Sequence, residues 1–134
     1  MHPRTLVLVA LLVAAWAVPA PGFADKSSVS IEAPATAELG AEVPVKILVK
    51  HTGNTFMHHT NRVEVKINGR TVEGWEFSAR NRPEDETFTR EVLVKVDSPL
   101  EIVGQAWCNI HGSEGPASVQ VTPVPVVSEE EGLP

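Results

Sequence analysis

The sequence predicts an all-β fold, an immunoglobulin-like β-sandwich of about seven strands, and three observations lead to this prediction. Apolar and polar residues alternate in seven short segments, which is the pattern of half-buried strands. Turn residues separate the segments, and about seven short strands in roughly 100 residues are typical of this sandwich. No window of the chain shows a convincing helical period.

The first four strands are predicted from alternation and one turn signal. Apolar residues occupy nearly every second position in SVSIEA and VPVKILVKH, and again in NRVEVKI and RTVEGWEF. The last two are joined by Asn68-Gly69, a dipeptide that favours a type I′ hairpin turn because both of its residues adopt positive φ easily. These four predicted strands cover residues 28–33, 43–51, 61–67 and 70–77.

The last three strands follow from the same pattern in the second half of the chain. Alternation is seen in TFTREVLVKV, LEIVGQAWC and ASVQVTPV. The sequence Asp97-Ser98-Pro99 separates the first two, since proline lacks the N–H group that a strand ladder needs. The predicted strands cover residues 87–96, 100–108 and 117–124.

The first 24 residues resemble a secretory signal peptide. Arg4 precedes an almost unbroken apolar run over residues 6–18, and Gly22-Phe23-Ala24 has the small-x-small pattern of a cleavage site. The apolar run is shorter than the roughly 20 residues that a spanning helix needs, so an uncleaved anchor is the less favoured alternative. We therefore expect a periplasmic or secreted protein with no stable membrane anchor after cleavage.

The rest of the chain is predicted to form one domain and a short tail. Residues 25–124 suffice for a single modest core, as one β-sandwich domain, and the acidic residues 125–134 are predicted to be disordered. Removal of residues 1–24 takes away one basic residue, Arg4, and changes the formal net charge from −6 to −7. An acidic domain without a basic cluster is a poor partner for nucleic acid or an anionic membrane.

The chain contains one cysteine, Cys108. Cysteines in an oxidising compartment usually pair, but a lone cysteine has no partner within its own chain. Three interpretations remain open: a buried inert thiol, an intermolecular disulfide, and a thiolate bound to a metal ion.

The histidines of the predicted mature chain favour the metal interpretation. They gather in two short segments, HTGNTFMHH and CNIHG, which follow predicted strands, and Gly53 and Gly112 permit tight loops there. Imidazole and thiolate ligands together suit iron, copper or zinc rather than calcium or magnesium. The sequence therefore predicts one mixed nitrogen and sulfur site built from Cys108 and the four histidines His51, His58, His59 and His111.

A resemblance to a known family begins with the motif CNIHG. It is similar to the C-N-x-H-G element of the superoxide reductase family (desulfoferrodoxin and neelaredoxin), and the segment from His51 onward resembles that family's first histidine segment. The resemblance implies a mononuclear non-haem iron bound by Cys108 and His111. With Glu64 aligned to the family's glutamate, it also implies His51 and His58 as ligands, with one extra residue between them. It further implies reduction of superoxide to hydrogen peroxide, with electrons from a small donor protein.

The chain departs from the family near its N-terminus. The family has a further ligand histidine in an E-K-H loop, for a set of four histidines and one cysteine, and residues 25–50 contain no histidine. His59 replaces that ligand in one interpretation, and water does so in the other. Cys108 and Lys50 are the candidate catalytic residues. Lys50, next to His51 in the sequence, is a candidate proton donor, and a solvated lysine at a strand end is the alternative.

Other functions remain open from the sequence. The segment from Ser28 to His51 resembles the Ig-like carrier partner subunit of the sulfur-oxidation system, a non-enzymatic binding subunit without the Cys-His element. A cupredoxin-like copper electron carrier shares the sandwich and a Cys-x-x-His element but normally has a Met soon after that His, and none follows His111. A structural zinc site usually has closed tetrahedral coordination. A metal-free interaction module is the last alternative.

Overall fold

The computed structural model describes residues 26–126, and within this range it contains eight strands and no helix. The strands are β1 Ser28–Glu32, β2 Thr36–Glu38, β3 Glu42–Lys50, β4 Thr60–Ile67, β5 Arg70–Glu76, β6 Thr87–Lys95, β7 Leu100–Cys108 and β8 Ala117–Val124. The signal peptide predicted at residues 1–24 and most of the predicted acidic tail lie outside the described residues. Nothing in residues 26–126 forms a helix of the length and apolarity needed to cross a membrane.

The strands form two sheets, which confirms the predicted sandwich class. One sheet has the order β1-β3-β6 and the other has the order β2-β8-β7-β4-β5. The pairing of β2 with β8 is parallel, with Thr36 opposite Thr122. The sequence did not reveal β2, because a three-residue strand is too short to show alternation and its Ala and Glu are poor strand formers. The fold therefore has eight strands where about seven were expected.

The other seven strands agree with their predicted bounds to within one residue at each end. The turn between β4 and β5 also follows the prediction, because Asn68 has φ 50° and Gly69 has φ 81°. The side chain of Asn68 secures this turn by accepting a hydrogen bond of 2.8 Å from the backbone N–H of Glu101. Local sequence was thus sufficient to position these elements.

The inward faces of the strands form the core of the sandwich. Every second residue of β3 is buried, and β7 shows the same alternation. Burial of a Val or Ile side chain contributes about 1.5–3 kcal/mol relative to exposure. The Val and Ile side chains with no exposed surface come from both sheets and, in Val96, from the residue after β6: Val45, Ile47, Val49, Val63, Val65, Val96 and Ile102. This core provides a rigid base for the loops at the ends of β3 and β7.

Candidate metal centre

His51 continues the inward face of β3 past the end of the strand. It lies two residues after the fully buried Val49, and only 6% of it is exposed. Its Nδ1 lies 2.7 Å from the carbonyl oxygen of Gly53. Because a carbonyl can only accept, Nδ1 donates and Nε2 is the nitrogen with a lone pair for a metal. This hydrogen bond fixes the tautomer and the ring orientation, as outer partners of metal-binding histidines commonly do.

Cys108 continues the inward face of β7 in the same way. It is the last residue of that strand, lies two residues after the buried Ala106, and is 4% exposed. The chain then turns back, with hydrogen bonds from Cys108 N–H to the Gly112 carbonyl (2.8 Å) and from Gly112 N–H to the Cys108 carbonyl (3.1 Å). The predicted turn after Cys108 therefore forms, and Gly112 closes it with φ 77°.

The turn also directs two backbone donors at the sulfur. The amide groups of Ile110 and His111 lie 3.4 and 3.5 Å from Cys108 Sγ. Hydrogen bonds to an ionised acceptor are stronger than those to a neutral one, so these two amides are placed to support a metal-bound sulfur. The turn thus surrounds the buried sulfur of Cys108 with two backbone donors.

The structure brings the donor atoms of His51, His58 and Cys108 within 4.8 Å of one another. His111 lies beside them, with Nδ1 3.1 Å from His58 Nε2 and 3.8 Å from Cys108 Sγ. Two donors on opposite sides of one ion are separated by about twice the metal–ligand distance, roughly 4.0–4.6 Å. The donors of His51, His58 and Cys108 therefore fit around one ion after small side-chain adjustments, whereas His111 contacts His58 and Cys108 but lies outside this group of three. Nitrogen with sulfur suits iron, copper or zinc.

His59 and Lys50 are placed differently from these four residues. His59 is 4% exposed, its Nδ1 lies 3.1 Å from the carbonyl oxygen of Thr55, and it is outside the group of close donors. Lys50 is exposed at the end of β3, one residue before His51. The role of His59 as a replacement ligand and the role of Lys50 as a proton donor stay predictions.

Asn109 is a residue of the site to which the sequence analysis gave no role of its own. Its Oδ1 accepts a 2.9 Å hydrogen bond from the backbone N–H of His59, and its Nδ2 donates a 3.0 Å bond to the carbonyl of Met57. Its own backbone N–H donates to the carbonyl of His59 at 3.0 Å. The side chain therefore fastens the loop that carries His58 to the turn that carries Cys108.

We expect Asn109→Ala to lower the affinity for zinc by about 10- to 100-fold, the usual effect of removing an outer partner of a metal site. Both bridges between the loops disappear, and each contributes about 0.5–1.5 kcal/mol. Asn109→Asp keeps the acceptor for His59 N–H and loses the donor to Met57, so its affinity should lie between those of the parent and of Asn109→Ala. Titration against a competing chelator measures this order, and equal affinities in all three proteins would contradict the bridging role.

The N-terminal segment packs beneath the Cys-His turn. Ser27 N–H donates to the carbonyl of Gly112 at 3.2 Å, and Glu114 N–H donates to the carbonyl of Ser27 at 3.0 Å. The hydroxyl groups of Ser27 and Thr60 are both buried and lie 2.8 Å apart, so they satisfy each other. The segment that lacks the family's histidine thus supports the site through backbone and hydroxyl hydrogen bonds.

Glu64, the residue that sets the alignment with the family, lies away from the donor group on the outer face of β4. Its neighbours in the strand, Val63 and Val65, point into the core. The Thr71 hydroxyl, 2.7 Å away, and then the Arg62 guanidinium hold the pKa of the Glu64 carboxyl below its ordinary value. Glu64 therefore serves the β4–β5 surface rather than the site.

No protein-family model matches the chain, and no curated protein matches its sequence. Several solved structures share the fold, and three of them illustrate the likeness. A superoxide reductase (neelaredoxin) from Ignicoccus hospitalis has a TM-score of 0.58 and 18% identity, covering 72% of this chain and 81% of its own. A putative superoxide reductase from Thermotoga maritima has a TM-score of 0.56 and 24% identity, covering 72% and 86%.

The third is the sulfur carrier protein SoxY from Chlorobium limicola f thiosulfatophilum, with a TM-score of 0.51 and 18% identity, covering 72% of this chain and 78% of its own. Both resemblances found in the sequence, to superoxide reductases and to an Ig-like sulfur-oxidation protein, are therefore confirmed as likenesses of fold. At these identities the fold alone is shared, and the chemistry has to be argued from the residues of this chain.

Proposed function

We propose that the protein is an exported, mononuclear non-haem iron protein that reduces superoxide to hydrogen peroxide. The observation that carries the proposal is the convergence of Cys108 with His51 and His58 at one end of a sandwich that superoxide reductases share. Ferrous iron bound there would supply the one electron that superoxide needs to become peroxide, with two protons taken up from the surroundings.

The chain would contribute binding, orientation and access. Cys108 would hold the ion through a thiolate stabilised by two backbone amides, and the Gly53 carbonyl would keep the Nε2 of His51 directed toward it. His51 and Cys108 are buried, whereas His58 is half-buried and His111 is exposed. The site would therefore open to solvent on the side of His58 and His111, which suits a small, soluble substrate.

The charge of the chain affects how a superoxide anion would approach. The formal net charge is −6, and a field of the same sign slows the encounter with an anion. Salt screens this repulsion, so the rate should be slow at low ionic strength and rise as salt is added. Lys50 is proposed as a local positive charge and proton source, and a Lys50→Met variant with unchanged iron content and an unchanged rate would leave it a solvated lysine.

The partner proposed for re-reduction is a small electron-donor protein. Three large apolar side chains flank the site in the described residues and are more than half exposed: Phe56 (57%), Met57 (73%) and Ile110 (58%). Exposed apolar groups beside a redox centre provide a contact surface for a transient partner.

The export proposal is tested separately, by whether the protein isolated from its own cells begins at Asp25.

Stopped-flow mixing of the reduced, iron-loaded protein with superoxide tests the proposed reaction. We expect superoxide to disappear faster than with free ferrous ion at the same concentration, with one peroxide formed per iron and no oxygen evolved. Decay no faster than with free ferrous ion would contradict the proposal. Two measurements on the native protein decide between an iron protein and a copper carrier. One is its metal content, and the other is whether its electron paramagnetic resonance signal comes from copper with one unpaired electron or from high-spin ferric iron.

A further inference from the structure

The loop between His51 and His58 contains a glycine that contacts both rings. The backbone of Gly53 has φ 125°, a conformation that side-chain-bearing residues rarely adopt. Its carbonyl oxygen lies 2.7 Å from His51 Nδ1. A Cβ atom built on Gly53 would lie 2.6 Å from His58 Nδ1 and 3.1 Å from His58 Cε1. The ring of His58 thus occupies the space that any other residue at position 53 would fill with its side chain.

We propose that Gly53 is a positioning residue of the metal site, acting through both histidines at once. The proposal rests on the proposed metal centre and concerns how the chain builds it. The Gly53 carbonyl fixes His51, and the missing side chain lets the His58 ring pack edge-on against His51, with ring centroids 4.6 Å apart.

The position of His58 against Gly53 determines which of its nitrogens faces the other donors. The Nδ1 edge of the ring lies where a Cβ atom of residue 53 would stand, and Nε2 lies 3.1 Å from His111 Nδ1. If the ring moved away from Gly53, Nε2 would leave His111 Nδ1. The length of the loop and the glycine within it therefore bring the His58 donor into the group.

Replacement by alanine should disturb this arrangement more than it disturbs the fold. A contact of 2.6 Å between carbon and nitrogen forces one of the two groups to move, and Gly53 is held by the backbone on both sides. His58 is only half-buried, so its ring can rotate toward solvent. Gly53→Ala should thus remove one donor from the site while most of the sandwich stays folded.

Gly115 provides a matched control because it has the same backbone requirement without the ring contact. Its φ is 113°, and a Cβ atom placed on it would meet nothing within 4 Å. A non-glycine residue at such a φ costs about 1–3 kcal/mol, which corresponds to about a 5- to 150-fold loss in the folding equilibrium. Gly115→Ala should show this loss of stability alone, whereas Gly53→Ala should show it together with a loss of metal affinity.

The experiment uses Co²⁺ as the probe, with its thiolate-dependent absorption as the readout of binding, and thermal unfolding of the metal-free proteins as the readout of stability. We expect Gly53→Ala to lower the Co²⁺ affinity by about 10- to 100-fold and Gly115→Ala to change it by less than about threefold. Combined with His58→Ala, Gly53→Ala should cause no further loss of Co²⁺ affinity beyond about threefold, because alanine keeps the carbonyl that holds His51 and its Cβ atom meets only the His58 ring.

Three results would overturn the inference. The first is a Co²⁺ affinity of Gly53→Ala equal to that of Gly115→Ala, and the second is a further loss of Co²⁺ affinity of about 10- to 100-fold when Gly53→Ala is added to His58→Ala. The third is the absence of Co²⁺ binding by the parent protein. If Gly53→Ala fails to fold, the combined variant decides, since removal of the His58 ring should restore folding and continued failure would count against the contact. Superoxide is not used in any arm. A parent protein that binds Co²⁺ through Cys108 but does not consume superoxide in its iron form would refute the proposed function and leave the role of Gly53 intact.

Discussion

Replacement of Cys108 by serine should lower the rate of superoxide reduction by the iron-loaded protein by at least about 100-fold. Loss of a residue that only supports a metal ligand usually costs about 10- to 100-fold, and Cys108 is proposed to bind the metal directly. The substitution replaces the sulfur ligand of the proposed site, which accepts from the Ile110 and His111 amides, by a hydroxyl group, a weaker ligand for the metal. The side chain is almost the same size and 4% exposed, so the sandwich should remain folded. Stopped-flow rates and the sulfur-to-metal absorption band of the loaded protein measure the two losses.

Ala106→Ser is the matched control for this substitution. Ala106 lies two residues earlier in β7, faces the same side and is fully buried. A serine there also introduces a buried hydroxyl, which costs about 1–3 kcal/mol if it finds no partner. We expect Ala106→Ser to lose stability but to keep the absorption band and the rate. An unchanged superoxide rate in Cys108→Ser would refute the thiolate as an essential part of the site.

The second large effect is expected from His58→Ala, which should lower metal affinity at least about 100-fold with little change in stability. His58 belongs to the group of three close donors and is half-buried, so its loss removes one of these donors and little packing. His59→Ala should do the reverse. His59 is 4% exposed and its Nδ1 contacts the carbonyl of Thr55, so its removal leaves a cavity and deletes this hydrogen bond, at about 1–3 kcal/mol.

These adjacent substitutions form a pair of controls for each other. Zinc titration reports the affinities of the two variants, and thermal unfolding of the metal-free proteins reports their stabilities. Equal losses of affinity in His58→Ala and His59→Ala would show that His59 turns into the site as the replacement ligand for the missing N-terminal histidine. Full affinity in both variants would exclude the whole loop from metal binding.

Much of the fold could be predicted because the relevant signals are local. Alternation gives the bounds of β3 and β7 and also sets the direction of the residues at their ends, so that His51 follows Val49 inward and Cys108 follows Ala106. The hairpin at Asn68 needs only two adjacent residues that accept positive φ. The strand β2 was missed because its parallel pairing with β8, rather than its own sequence, makes it a strand.

The sequence by itself determined the sandwich class, the strands that lead into the site, and the residue types that suit a nitrogen and sulfur metal centre. The tertiary structure decided which of these residues meet. Asn109 bridges to a loop about 50 positions earlier, and Gly53 leaves room for the ring of His58. Neither contact has a sequence period, because both depend on how two loops from different strands pack at one end of the sandwich. The choice between His58 and His59 is of the same kind, since adjacent residues diverge and only the path of the loop determines which ring faces Cys108.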